Sequence, residues 1–272
     1  MNRMTYQAAL VQMDCGFLDV EGNLDKAESR IRDAVNHGAK IVCLPEAFNT
    51  GYLGSRIPDM KALAEKEDGK SLTRMRSLAK ELGVYLIAPI IFQVESGVEN
   101  TAFLIDDQGN LLGHYSKSHP VGDEQKHVQR GKQYPVWDTP LGKIGIVICY
   151  DVCFPETVRL LALNGAEVVF VPAAWRASYY FKEWWDLNIA CRALDNLVYM
   201  AAVNRTGPSG EEIFAGKTQL VDPTGAVMDT CGVSEEAILY GTIEPDRVGR
   251  EREFNTVLID RHPEDYIPLS TM

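Results

Sequence analysis

Short apolar runs alternate with amphipathic helical stripes along the chain, and this alternation restricts the possible folds more than any other property of the sequence. Tyr6–Gln12 reads as a strand. Leu24, Ala27, Ile31, Ala34 and Val35 then recur at the spacing of one helix face and stop at Gly38, which suits a left-handed cap. Residues 41–44 make a short apolar strand. A second helical face (Leu72, Met75, Leu78, Ala79, Leu82) closes at Gly83. Residues 84–91 form a strand, and 101–105 with 111–115 frame a hairpin around Asp107-Gln108-Gly109-Asn110. An apolar strand over 144–148 leads into Cys149. Pro155 opens a helix with Glu156 in its first turn, where the helix dipole favours an acid, and Asn164-Gly165 ends it. Strands over 168–171 and 198–202 flank a helix over 181–194, and 218–221 and 238–243 add late strands. Crossover helices in some places and hairpins in others predict a mixed sheet covered by helices. No repeat, low-complexity tract or linker interrupts the pattern, so residues 1–272 read as one domain.

Composition narrows the function classes. Of 272 residues, 46% are hydrophobic and 24% charged, which is ordinary for a globular enzyme. The net charge of −11 argues against a nucleic-acid partner, which needs clustered Lys and Arg. Residues 1–12 carry no basic segment followed by an apolar one, and no apolar run is long enough to span a bilayer, so the expectation is a cytoplasmic protein with no membrane partner. Six scattered cysteines (15, 43, 149, 153, 191 and 231) read as reduced core residues plus one reactive thiol, not a disulfide framework. Asn204-Arg205-Thr206 matches a glycosylation pattern that carries no weight without a secretion signal. The histidines (37, 114, 119, 127 and 262) show no zinc spacing, so no metal is expected.

Three segments carry chemistry. In Gly145-Ile146-Val147-Ile148-Cys149-Tyr150-Asp151 an apolar strand delivers a cysteine to a turn that precedes a helix. Such a turn holds a nucleophile out of the sheet beside free backbone N–H groups. A core cysteine at a strand end fits this segment equally well. In Leu44-Pro45-Glu46 a carboxylate follows a short strand, the position where α/β enzymes place catalytic side chains, although a solvated loop acid reads the same way. Tyr115-Ser116-Lys117-Ser118-His119 sets a lysine just past a hairpin strand, where a surface charge is the ordinary reading.

Together these segments resemble the nitrilase superfamily of carbon–nitrogen hydrolases over nearly the whole chain. Leu44-Pro45-Glu46 with Thr50-Gly51-Tyr52, the lysine segment, and Gly145 to Asp151 with Phe154-Pro155-Glu156 match its three blocks in order. Val171-Pro172-Ala173-Ala174-Trp175, Cys191-Arg192-Ala193-Leu194-Asp195-Asn196 and Ala202-Val203-Asn204-Arg205 add agreement, with Asp195 where the family more often has glutamate. The resemblance implies an α/β fold built as a four-layer αββα sandwich of two mixed sheets, and a homodimer. It implies Cys149 as nucleophile, Glu46 as general base and Lys117 as the oxyanion-stabilising cation, with Glu124 orienting the substrate amide. No cofactor is implied. The Tyr150 backbone N–H is expected to share the oxyanion, and Tyr52, Trp175 and Arg176 to line the pocket of a small amide. Arg176 is the nearest cation to grip a remote carboxylate; a solvated loop arginine is the competing reading.

The residue types suit amide hydrolysis, which needs a nucleophile, a proton shuttle and a stabiliser for the tetrahedral oxyanion. Nitrile hydrolases of the superfamily usually follow the nucleophile with tryptophan and glutamate; Tyr150-Asp151 resembles the amidase and carbamoyl-amide branches instead. Val152 and Cys153 stand where N-carbamoyl amino acid hydrolases tend to place arginine. A papain-like protease would leave Lys117 without a role, no glycine motif supports a dinucleotide- or P-loop site, and an inactive scaffold homologue would not need Glu46, Lys117 and Cys149 together.

Overall fold

The computed structural model describes residues 3–179 and 183–270. The first half runs β1 (Tyr6–Gln12), α1 (Val20–Asn36), β2 (Ile41–Cys43), α2 (Ile57–Ala62), α3 (Lys70–Leu82), β3 (Tyr85–Val94), β4 (Gly97–Ile105), β5 (Leu111–Ser116) and α4 (Glu124–His127). The second half runs β6 (Val136–Thr139), β7 (Gly142–Ile146), α5 (Pro155–Leu163), β8 (Val168–Ala173), α6 (Trp184–Asn196) and β9 (Tyr199–Asn204). It continues through β10 (Thr206–Ser209), β11 (Glu212–Ala215), β12 (Gln219–Val221), β13 (Val227–Thr230), β14 (Ala237–Ile243) and α7 (Pro245–Phe254). Gly83 caps α3 in the left-handed conformation at φ 62°, as its position after the last apolar residue predicts.

The strands make two six-stranded sheets, ordered β14-β1-β2-β3-β4-β5 and β13-β12-β9-β8-β7-β6, and a β10–β11 ribbon. In each sheet the centre is parallel (β1, β2 and β3; β7, β8 and β9) and the flanks antiparallel. Period-two alternation divides the first sheet's side chains between two cores. Ala8, Leu10, Ile41, Cys43 and Ile87 enter the core shared with the second sheet. Ala9, Val11, Val42, Leu86 and Ala88 pack against Leu24 and Ile31 of α1 and Leu72 and Met75 of α3. On the far side, Val158 and Leu161 of α5 and Ile189 and Ala193 of α6 cover the second sheet. Helices, sheet, sheet and helices give the four-layer αββα sandwich.

Some boundaries differ from the sequence reading. The strand before the cysteine ends at Ile146, because the chain bends into a 3₁₀ turn over Cys149–Cys153. The helix expected from Phe181 is seen from Trp184, the residues before Glu183 lying outside the described ones. The β10–β11 ribbon, β6, β13 and α7 were not anticipated. Gly207, Pro208 and Gly210 hide the ribbon by looking like loop punctuation.

Candidate active site

The segments after β2, β5 and β7 bring the candidate side chains to one end of the sandwich. Glu46 follows β2, where Leu44 N–H still bonds Ile87 O at 3.1 Å and Phe48 N–H bonds Pro89 O at 3.2 Å. Lys117 follows β5, its backbone N–H held by Asn100 O at 2.8 Å. Cys149 sits past β7 with φ 48°, a left-handed conformation that costs a residue with a Cβ of order 1–3 kcal/mol and persists only where the surroundings impose it. The chain thus makes a strained turn at Cys149, between β7 and α5.

Four of the expected residues meet. Lys117 Nζ lies 2.8 Å from Glu46 Oε1 and 2.8 Å from Glu124 Oε2, with lysine and both carboxyl groups excluded from solvent. These bonds use two of the three ammonium hydrogens. Burial disfavours the Lys117 charge, but the charges of Glu124 and Glu46 outweigh it and hold the pKa well above that of an ordinary lysine. Glu46 Oε2 accepts from Ala174 N–H at 2.7 Å, and Glu124 Oε2 from Val121 N–H at 2.9 Å. Cys149 is 5% exposed, and the Glu46 carboxylate lies near enough to its thiol to act on its ionisation. Burial first, then the Glu46 charge, push the thiol pKa well up; Lys117 and the Ala174 N–H act the other way without winning. The resting sulfur is a neutral thiol.

Tyr52, Tyr150, Trp175 and Arg176 line a cavity of about 300 Å³ that opens on Cys149, with Trp184 also in its wall. The Tyr52 ring stands 5.8 Å from Lys117 Nζ, and its buried hydroxyl has no hydrogen-bond partner among the described residues. Arg176 Nε lies 3.3 Å from Glu212 Oε2 on the ribbon, and Glu212 also accepts from Gly54 N–H at 3.2 Å. His119 turns to Asp151, at 2.9 Å, and stacks on Phe154 with ring centroids 3.7 Å apart, so it serves the framework.

The sequence reading missed several polar groups. Asn100, fully buried on β4, donates from one amide nitrogen to Glu46 Oε1 at 2.7 Å and to Glu124 Oε1 at 3.0 Å, holding the two carboxyl groups in register. It stands between Glu99 and Thr101 at the polar start of β4, where nothing in the sequence singles it out. Asn204, counted in the family agreement but given no role, accepts from Trp175 N–H at 2.7 Å and donates to Trp175 O at 3.2 Å. Its neighbour Arg205 is also fully buried, its guanidinium 4.2 Å from the Phe214 ring centroid and 2.9 Å from Asp14 Oδ1. The six cysteines are free, and Cys191, not Cys149, is the exposed one.

A strained cysteine and a buried lysine between two glutamates thus meet at one end of an αββα sandwich. The family model for carbon–nitrogen hydrolases matches residues 7–253, and the chain belongs to that family of enzymes. It is 31% identical to a probable nitrilase of Schizosaccharomyces pombe, over 97% of this chain and 98% of that one. It is 32% identical to an omega-amidase of Mus musculus, over 96% and 97%. Among solved structures, a mutant of the amidase from Nesterenkonia sp. superposes with a TM-score of 0.83 at 28% identity, covering 96% and 95% of the two chains; it carries the acetamide moiety of fluoroacetamide on its active-site cysteine.

Proposed function

We propose that the enzyme hydrolyses the C–N bond of a small amide, releasing ammonia and a carboxylic acid through a thioester on Cys149. One observation carries the reading: near the buried Cys149 thiol, a buried carboxylate, Glu46, pairs with a buried ammonium at 2.8 Å. Glu46 takes the thiol proton as sulfur attacks, returns it to the departing ammonia, then draws a proton from the water that cleaves the thioester. Lys117, with one hydrogen not used by the two glutamates, and the Tyr150 backbone N–H face the oxyanion. Glu124 fixes Lys117 and orients the substrate amide. No step calls for a cofactor. Ammonia release over a panel of ω-amides, aliphatic amides, carbamoyl amines and nitriles tests the reading: amides should be consumed and Cys149→Ala should consume none. Turnover of nitriles alone would refute it.

For the substrate's far end we infer a role for Arg176, with Trp175 and Tyr52 walling the alkyl part. The Glu212 pairing means that an anionic ω-amide must share the guanidinium with an acid already present. A charge-assisted bond is worth about 1.5–3 kcal/mol, so Arg176→Ala should cost roughly ten- to hundredfold in kcat/KM for an anionic ω-amide and leave a neutral amide of equal length unchanged. Equal effects on the two substrates would remove Arg176 from recognition. We also read the exposed apolar faces of α5, α6 and the carboxy-terminal segment as the contact of a homodimer, and the six free thiols as fitting a reducing compartment such as the cytoplasm.

A further inference from the structure

We propose that Asp151 is the positioning residue of this site, the group that sets Cys149 against Lys117 by joining their two sheets. The inference rests on the roles proposed above for those two residues. Lys117 arrives at the end of β5 in one sheet and Cys149 past β7 in the other, and neither sheet fixes the distance between them. The Asp151 carboxylate, fully buried, bonds to both segments. Its Oδ2 accepts from Ile148 N–H, immediately before the nucleophile, at 3.0 Å, and from Tyr115 OH at 2.7 Å. Its Oδ1 accepts from Ser118 Oγ at 2.9 Å and His119 N–H at 2.8 Å, and faces His119 Nδ1 at 2.9 Å. The donors on the lysine side therefore bracket Lys117 in the chain, while the Ile148 bond closes the turn that carries Cys149.

The same residue supports the left-handed backbone at Cys149. Asp151 N–H bonds Ile148 O at 3.0 Å while its carboxylate takes the Ile148 N–H, so both backbone polar groups of Ile148, the residue before the nucleophile, are held from one residue. Beyond it, Thr157 Oγ1 donates to Asp151 O at 3.0 Å and Arg192 Nε to Val152 O at 3.1 Å, tying the turn to α5 and α6. None of these groups faces the substrate cavity. Asp151 acts through Cys149 and Lys117.

An isosteric change tests this without removing volume. In Asp151→Asn, whichever oxygen becomes an amide nitrogen must face a backbone N–H, that of Ile148 or of His119, so one side of the clasp opens. A displacement of about 1 Å at reacting groups is enough to cost about 100-fold. We expect kcat of Asp151→Asn to fall by about that factor with KM within about threefold, measured on protein whose folded fraction is established by circular dichroism. The double variant Tyr115→Phe/Ser118→Ala keeps the carboxylate and its Ile148 bond but loosens the lysine side; its kcat should fall about tenfold, and it serves if Asp151→Asn does not fold. Wild-type kcat per folded molecule in either variant, while Cys149→Ala and Lys117→Ala are inactive, would overturn the positioning role and leave the proposed reaction standing. Activity retained in Cys149→Ala would overturn both.

Discussion

A neutral thiol beside a carboxylate begins catalysis differently from a preformed thiolate. Ionising Cys149 in place would add a negative charge to a buried cluster that already holds two carboxyl groups around one ammonium; passing its proton to Glu46 leaves the net charge of the cluster unchanged. In the proposed reaction, proton transfer and attack are therefore coupled, and Glu46 serves both half-reactions. Glu46→Gln should slow turnover by roughly 10²–10⁴-fold, the range for a lost general base. It also removes the carboxylate that helps raise the Cys149 pKa. The pH midpoint for alkylation of Cys149 should therefore move down in Glu46→Gln even as turnover collapses. An unchanged midpoint with wild-type turnover would show that Glu46 is not the proton acceptor. Alkylation must be followed on the Cys149 peptide, since Cys191 is the more exposed thiol.

At the scale of elements, the segments that place Glu46 and Cys149 were legible because each follows a short apolar strand, whereas Lys117, past a hairpin strand of mixed character, was singled out only by the family resemblance. The glycine caps of α1 and α3 were equally plain. The β10–β11 ribbon was hidden because its burial comes from Tyr52 and Arg205, residues distant in the chain or read as loop. Asn100 was hidden because its purpose is visible only once β2 and α4 converge on it. The loop from Glu46 to Tyr52 depends on Gly51, at φ 67°, where an added Cβ would stand 2.8 Å from Gly16 O and 3.0 Å from Cys15 O. Both contacts are backbone and cannot swing away. Gly51→Ala should destabilise the fold by more than about 1 kcal/mol, the left-handed cost alone, and raise KM by displacing Tyr52. A melting temperature and KM equal to wild type would show that this loop does not hold the pocket wall.

Across the whole molecule, the buried surfaces are those between layers, and the outer helices keep apolar side chains in water. Leu160 and Leu163 on α5, Leu187 and Leu194 on α6, and Phe254, Ile259 and Leu269 near the carboxy terminus are exposed, Phe254 by 91%. These side chains are the contact proposed for the homodimer, which predicts a mass of two chains by light scattering at micromolar concentration; a one-chain mass would contradict it. The central claim lies elsewhere, in the covalent step. A phenyl ester of the substrate acid has a leaving group that needs no proton, so its acyl group should accumulate on the enzyme before hydrolysis. Rapid acid quenching, digestion and mass analysis then locate that group. It should lie on the Cys149 peptide alone, with none on Cys149→Ala. An acyl group on another residue, with ammonia still released from amides by Cys149→Ala, would contradict it.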